Sequence, residues 1–494
     1  MTVQRLRSAD ISRATRQDTP AVGEFGVLIG GTWQHTDDPV EVRSPFDGSL
    51  VAVAHHGGPK EVEAAIVSVV RGFETTRTLP SWKRAEVLER TSEALTRQAD
   101  SLGRILSLEA GKPLKAAIGE IGRAAFTFKV AAEESKRLGG EMISLDWLPG
   151  NERREAHLYH VPRGPITGIT PFNFPMNLVA HKVAPALAAG NSIVLRPDSQ
   201  TPVSAHKLAE IILDAGWPAD GIAVVPTRVE HAAPLVEDDR IKMLSFTGSP
   251  GVGWMLKRNA GRKPVALELG GNAGVIVHHD ADVAYAAERV AWGGFTYSGQ
   301  ACISVQRVYI HRDRYDAFVD ALIPKVKALK VGDPSDDTTD IGPVIDLGAA
   351  ERIEGWVDEA VSQGATVLSG GTREGNLWQP TVLADVREDM SVSCNEVFGP
   401  VVVLYRYDDV DDAIAAVDQS DYGLQAGLFT NDLSVIRRAT ERLEIGGLNV
   451  NDVSTFRMDH MPYGGVKQSG FGREGVRFAI EEMTERKLVT YNHR

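Results

Sequence analysis

The sequence predicts an α/β protein of two doubly wound open-sheet units with a small antiparallel bridging element. Three observations lead there. From Ile166 onward, short apolar runs alternate with helical stretches, the pattern of βαβ units that bury a parallel sheet beneath helices. A second series of the same kind begins near Gly271. The 494 residues also exceed what one hydrophobic core usually organises, so two or three domains sharing an interface are expected.

The first 20 residues carry Arg5, Arg7, Arg13 and Arg16 without the apolar stretch of a secretory signal, and read as a mobile tail. Between Val27 and Val53, VLIGGTW, EVRSP and SLVAVA alternate with turn residues, as short antiparallel strands do. Helical spacing of apolar residues runs from Lys60 to about Gly139, with Gly111-Lys112-Pro113 as a stop signal. EAHLYHVPRGP, residues 155–165, alternates like an extended ribbon. The first α/β series is ITGIT, a helix to Ala189, NSIVLRP, SAHKLAEIILDAG, IAVVP and KMLSFTG. The second runs from GNAGVIV through a helix at Ala281 to Gly294, VQRVYIH, a helix at Tyr315 to Leu329, GATVLSGG and VVVLYRY to GGLNVND. The last stretch, KLVTYN, is an isolated strand that needs a distant partner, and another subunit is the expectation.

Composition narrows the function classes. Acidic residues outnumber basic ones 66 to 53, for a net charge of −13, and no basic run with interleaved aromatics is present to meet a phosphate backbone. Nucleic acid is not an expected partner. No apolar run approaches the roughly 18 to 20 residues that span a bilayer, so no membrane partner is expected either. Two cysteines, Cys302 and Cys394, are too few for a disulfide framework and suit a reducing compartment, so a cytoplasmic location is expected.

Cys302 lies in FTYSGQACISVQR, a glycine-containing turn between a helix and a strand, where a thiol can face a cleft. A lone cysteine is also a common small core residue. As a nucleophile it would need a dipole, a cation or a base to form thiolate, because a free thiol titrates near pH 8.5. Glu268 in ALELGGN ends a strand-like run beside Gly270-Gly271 and sits between two leucines. Such a carboxylate is either a base whose pKa burial raises, or one arm of a salt bridge. Asn173, in ITPFNFPMNLVAHKV, is held between prolines just after a strand. Its amide can donate to an oxyanion or cap the following helix.

Glycines need sorting by context. Gly470, Gly472 and Gly475 in SGFGREG spell G-x-G-x-x-G, but no strand precedes them and no βαβ unit follows, so they read as a turn and a helix start. FTGSPGVG, residues 246–253, does follow a strand and open a helix, where backbone amides and Ser249 can receive a pyrophosphate. No CxxC or HExxH metal pattern occurs, and His55-His56 and His278-His279 read as loop and strand-end residues, so no metal is expected.

Taken together, PFNFP (171–175), FTGS (246–249), LELGGN (267–272), GQAC (299–302), EVFGPV (396–401) and PYGGVKQSGFGREG (462–475) resemble the aldehyde dehydrogenase superfamily from about Gly30 to Val489. The resemblance implies that Cys302 attacks the aldehyde, that the Asn173 side chain and the Cys302 N–H hold the oxyanion, and that Glu268 activates the water that hydrolyses a thioester. It implies NAD or NADP contacts from Thr170, Pro171, Phe172, Phe246, Gly248, Ser249 and Leu269, with Glu396 at the nicotinamide ribose and Phe398 beside the nicotinamide. It also implies a cofactor-binding domain at 21–140 and 163–271, a catalytic domain at 272–465, an oligomerisation ribbon at 141–162 and 476–494, and a homodimer or homotetramer.

One departure concerns the cofactor. Where relatives commonly place a glutamate that repels a 2′-phosphate, this chain has Ser199, and Arg196 replaces a lysine, so NADP is allowed. Arg228 is a second phosphate candidate or a surface residue. The expected substrate pocket is Phe174, Asn177, Tyr297, Ile303 and the loop Thr455, Phe456 and Arg457, where Arg457 either meets an anionic substrate or serves an ion pair. A short aliphatic, hydroxy- or semialdehyde, such as lactaldehyde or succinate semialdehyde, is the expected substrate. Two other readings use the same thiol. A CoA-acylating dehydrogenase would pass the acyl group to a second thiol, and a cofactor-independent cysteine hydrolase would need a histidine beside Cys302.

Overall fold

The computed structural model describes residues 21–493. The tail predicted at residues 1–20 lies outside the described residues. Five short strands open the chain: β1 (Gly23–Phe25), β2 (Val27–Ile29), β3 (Thr32–Gln34), β4 (Pro39–Arg43) and β5 (Leu50–His55). Four helices follow, at Pro59–Thr76, Ser81–Arg97, Ala99–Ala110 and Leu114–Ser135. Gly111 ends the third of them with φ 63°, a left-handed conformation that glycine adopts freely. Next come the ribbon strands β6 (Glu141–Ser144) and β7 (Arg154–Pro162).

The first α/β unit contains β8 (Ile166–Ile169), β9 (Ile193–Arg196), β10 (Ile222–Val224), β11 (Met243–Thr247) and β12 (Val265–Glu268). These five run parallel in the spatial order β12-β11-β8-β9-β10. The β2-β3 hairpin extends the sheet antiparallel beyond β10. Apolar β-branched residues fill these strands because helices cover both faces. The helix Asn177–Ala189 is buried on every side between this sheet and the helical layer, which explains its nearly all-apolar sequence.

The second unit contains β13 (Ala273–Val277), β14 (Val305–His311), β15 (Thr366–Ser369), a hairpin of β16 (Arg373–Glu374) and β17 (Leu377–Trp378), β18 (Thr381–Ala384), β19 (Val401–Tyr407), β20 (Tyr422–Gly423), β21 (Gln425–Phe429) and β22 (Gly447–Val450). Its sheet order is β15-β18-β19-β14-β13-β21-β22, all parallel except the β15 edge. Both units are thus doubly wound, with the strand order reversing between β8 and β11 in the first and between β13 and β21 in the second.

The chain closes with β23 (Val466–Lys467), β24 (Gly470–Phe471), a helix at Val476–Glu482 and β25 (Thr484–Asn492). SGFGREG forms a turn and a helix start, and β24 also pairs with β12 at the edge of the first sheet. Val476 and Ile480 pack into the core of the first unit, so the helical part of 476–494 belongs to that unit and only β25 to the ribbon. The partner expected for KLVTYN needs correction: β25 pairs with β7 of the same chain, antiparallel from Thr484↔Pro162 to Asn492↔Arg154. Nine paired residues offered by one chain remove the need for a second subunit to supply the partner.

The two sheets meet end to end. Carboxyl ends of β8, β11 and β12 lead into Asn173, Ser249 and Glu268, while Cys302 precedes β14 and Glu396 and Phe398 precede β19. The site lies where these ends converge.

Candidate active site

The turn carrying Cys302 is held in an unusual backbone. Tyr297, Ser298 and Gly299 have φ of 50°, 56° and 69°, and a side chain on Gly299 would lie 2.1 Å from the Gly399 carbonyl oxygen. Left-handed non-glycine residues persist only where surroundings hold them. Here Ser298 donates to the Gly342 carbonyl at 2.7 Å and Tyr297 to the Ala110 carbonyl at 3.1 Å. The thiol is partly buried, packed by Ile303, Leu424 and Tyr463, with Sγ 3.0 Å from the Tyr463 hydroxyl. Burial pushes the thiol up to about 12 against the lowering effect of Tyr463, so it rests protonated at neutral pH.

Asn173 is fixed at both ends of its residue. Its amide donates to the Gln300 carbonyl at 3.0 Å, two residues before Cys302, and one N–H remains for another acceptor. Its own carbonyl accepts from Lys112 Nζ at 2.7 Å. Lys112 is ion-paired with Glu120, both wholly buried, and Glu120 accepts the backbone N–H groups of Met176 and Asn177 at 3.0 and 3.1 Å. Glu120, not Asn173, therefore satisfies the start of the helix Asn177–Ala189.

Glu268 ends β12 only 4% exposed, and its Oε2 has no hydrogen-bond partner. The salt-bridge alternative is not what the geometry gives, since no cation pairs with it among the described residues. Burial, and then repulsion from Glu474, raise its pKa well above the usual carboxylate range. Gly464, at φ 153°, leaves room beside it: a Cβ there would stand 2.8 Å from Glu268 Oε1.

The segments expected to meet a dinucleotide follow β11 and precede β19. After β11, Ser249 precedes the helix Pro250–Asn259 with its hydroxyl uncommitted to the cap. Added side chains on Gly248 or Gly253 would come within 2.5 Å of Phe246 or 2.3 Å of Leu269, so backbone there packs as closely as a phosphate cradle requires. Glu396 accepts the Gly271 N–H at 2.9 Å, and burial raises its carboxyl to about 7. Phe398, at φ 49°, sets its ring against Phe172 with centroids 5.9 Å apart. Thr170 and Pro171 lead from β8 into this wall, with the Thr170 N–H donating to the Arg196 carbonyl at 3.2 Å. Arg196 donates to the Thr227 carbonyl at 2.9 Å but leaves its buried Nε unpartnered, and Ser199 nearby is partly exposed. Arg228 is committed elsewhere, bidentate to Asp38 at 2.7 Å for both bonds.

Comparison with known proteins agrees with this geometry. Residues 33–489 match the Aldehyde dehydrogenase family. The chain belongs to that family. It is 45% identical to a 3-sulfolactaldehyde dehydrogenase of Priestia aryabhattai over 95% of this chain and 98% of that protein. Among solved structures it is similar to an aldehyde dehydrogenase of Physcomitrella patens in complex with the reaction product succinate, at TM-score 0.93 and 39% identity over 96% and 99% of the two chains. It is equally similar to an NADP-dependent glyceraldehyde-3-phosphate dehydrogenase of Bacillus halodurans complexed with NADP, at TM-score 0.93 and 36% identity over 95% and 100%. This aldehyde dehydrogenase is an oxidoreductase that uses NAD or NADP.

The expected substrate pocket divides in two. Ile303 packs beside the thiol, while Phe456 is 37% exposed. Tyr297 and Asn177 are each 1% exposed and so offer little surface to a ligand. Tyr297 buttresses Phe174 edge-on at 5.9 Å, and Asn177 donates to Asp459 at 3.1 Å. Arg457 is buried, paired with Glu474 at 3.3 Å and stacked 3.6 Å over the Tyr463 ring, so the ion-pair reading describes its placement.

Several residues of this aldehyde dehydrogenase site escaped the sequence reading. Tyr463 stood in a quoted motif without a role. Lys182, fully buried, donates to Thr247 at 2.7 Å and Glu474 at 3.2 Å behind Glu268. Its signal was available: a lysine inside an otherwise apolar helix must have a buried partner.

Proposed function

We propose that this chain oxidises a short hydroxy- or semialdehyde to its carboxylic acid, with Cys302 as nucleophile, Asn173 as oxyanion donor and Glu268 as base. The observation that carries the reading is the 3.0 Å tie between the Asn173 amide and the Gln300 carbonyl, which fixes the amide beside the Cys302 turn. Sγ gives its proton to Glu268, which passes it on to water, and Sγ bonds to the aldehyde carbon. The negative charge moves to oxygen, where the second Asn173 N–H and the Cys302 backbone N–H receive it. When bound, NAD or NADP supplies the hydride acceptor that turns the Sγ adduct into a thioester, and a positive charge that favours thiolate and carboxylate. Glu268 then takes a proton from water as its oxygen bonds to the acyl carbon, and the C–S bond breaks to release acid and restore the thiol.

The relatives named above act on sulfolactaldehyde or glyceraldehyde 3-phosphate, or hold succinate, all of which carry an anionic end. Two cations lie by the Phe174 ring: Lys112, 3.7 Å away, is wholly buried against Glu120, whereas Arg123, 5.8 Å away and bidentate to Asp459, is 36% exposed and keeps donors free. We assign Arg123 to the substrate's distal anion. Arg196, with its free Nε, and Ser199 support use of NADP. No helix among the described residues is long and apolar enough to cross a membrane. A cytoplasmic enzyme assembled as a homodimer or homotetramer through its ribbon is the accompanying proposal.

The competing readings are weaker on specific grounds. An imidazole beside Sγ would mark a cysteine hydrolase, and the hydrogen-bond partner is the Tyr463 hydroxyl. Glu268 in place favours water over CoA as acyl acceptor. The deciding experiment assays short aldehydes with and without a distal anion, against NAD, NADP and CoA. Turnover highest for anionic hydroxy- or semialdehydes, without acyl-CoA, is expected; acyl-CoA formation or product release without cofactor would overturn the assignment.

A further inference from the structure

We propose that His278, His279 and Asp280 form a binding site for a borderline divalent cation of the zinc, cobalt or nickel kind, on the opposite end of the second sheet from Cys302. Their donor atoms all lie within 4.8 Å of one another. In open α/β sheets the crevice for ligands forms at the carboxyl ends of the strands, where strand order reverses. In the second unit that reversal lies between β13 and β21. Catalysis does not use this crevice, because Cys302 precedes β14. The three residues immediately follow β13 and face the residues that follow β21.

The side chains are oriented as ligands are. Tyr407 donates its hydroxyl proton to the Val277 carbonyl at 3.4 Å, which leaves its oxygen to accept the His278 Nδ1–H at 2.8 Å. That hydrogen bond makes Nε2 the unprotonated nitrogen of His278, which accepts the His279 Nδ1–H at 2.8 Å; an ion would take the place of that shared proton, with His279 then carrying its proton on Nε2. A metal-binding histidine has this arrangement, with the far ring nitrogen held by an outer partner. The two rings are inclined at 78°, edge to face rather than stacked. Two nitrogens each about 2.0–2.1 Å from a tetrahedral ion stand about 3.3 Å apart, an opening of roughly 0.5 Å that rotation of the exposed His279 supplies. Asp280 is likewise braced, accepting from Thr430 Oγ1 and the Asn431 N–H at 2.8 Å each. His311 packs beside both imidazoles, with ring centroids 5.9 and 5.6 Å from His278 and His279. Nitrogen and carboxylate donors of this kind select zinc and its neighbours over calcium or magnesium.

Another histidine group makes a useful contrast. Glu24, His35 and His55 also cluster, but the two rings are stacked 4.4 Å apart and only 12° from parallel, so their lone-pair planes do not meet at one ion.

The test is zinc binding to the full-length chain after chelator treatment, read by equilibrium dialysis with metal analysis. One zinc per chain is expected, retained in Cys302→Ala and His35→Ala and weakened about tenfold or more in His279→Ala and in Asp280→Asn. His279 is exposed, so its replacement leaves the core intact. Zinc should also raise the melting temperature of the parent chain and not that of His279→Ala. Absence of stoichiometric zinc, or equal affinity in His279→Ala, would overturn the proposal.

Discussion

Lys112 donates to the carbonyl oxygen of Asn173 at 2.7 Å from inside a buried ion pair with Glu120, so the loop that carries the proposed oxyanion donor is held by charge as well as by its prolines. Replacing one partner strands the other without water. Lys112→Met should therefore lose about 3–5 kcal/mol of stability, measured by chemical denaturation. The double variant Lys112→Met/Glu120→Gln should regain part of that stability while kcat stays low, because the Asn173 carbonyl remains untethered. A double variant with parental kcat would remove the positioning role.

Glu268→Gln keeps the shape of the side chain and removes its basicity. Acyl transfer to Cys302 should proceed while hydrolysis slows by about 10²-fold or more. Intact-mass measurement after mixing with aldehyde and cofactor should show the acyl adduct, absent in Cys302→Ala. Unaltered steady turnover in Glu268→Gln would refute the base assignment.

Tyr463 bears on thiol reactivity. Its hydroxyl lowers a Cys302 pKa that burial drives up to about 12, so Tyr463→Phe should raise it further. Less thiolate at neutral pH means slower alkylation by iodoacetamide in the absence of cofactor. An unchanged or faster rate in Tyr463→Phe would show that the hydrogen bond stabilises the thiol instead.

Glu474 should make the fold acid-sensitive. Burial alone would raise its pKa, but Lys182, His181 and Arg457 draw it from 4.5 down to about 2. A depressed carboxylate contributes stability that is present above its unfolded value and is lost as pH falls from 4.5 toward 2. Denaturation midpoints measured across that window should decline more steeply for the parent chain than for Glu474→Gln. Parallel slopes would contradict the linkage.

Arg196 should distinguish the cofactors. Arg196→Gln is expected to raise KM for NADP about tenfold and to leave KM for NAD within about twofold, since the unpartnered Nε suits a phosphate. Equal effects on both would assign the arginine to backbone support through Thr227.

Local pattern made much of this protein legible. ITGIT, KMLSFTG and VVVLYRY are buried parallel strands, and such runs have few alternatives. Cys302, Glu268 and Asn173 were also readable, because each is a reactive or polar group in a turn that proline or glycine restricts. What escaped was whatever depends on a partner distant in sequence. KLVTYN showed its strand character but not that β7 lies beside it. Tyr463 looked like any aromatic in a glycine-rich loop until its hydroxyl was placed against Sγ. His278 and His279 gained a shared geometry only once β13, β14 and β19 had aligned their ends with Tyr407.

The chain passes from the first sheet to the second through only four residues, Leu269–Asn272, between the end of β12 and the start of β13. Glu268 is thus adjacent to that crossover, whereas Asn173 and Ser249 follow β8 and β11, strands farther along the first sheet. The base candidate is therefore joined to the second unit by the chain itself, and the oxyanion-donor candidate only by one hydrogen bond.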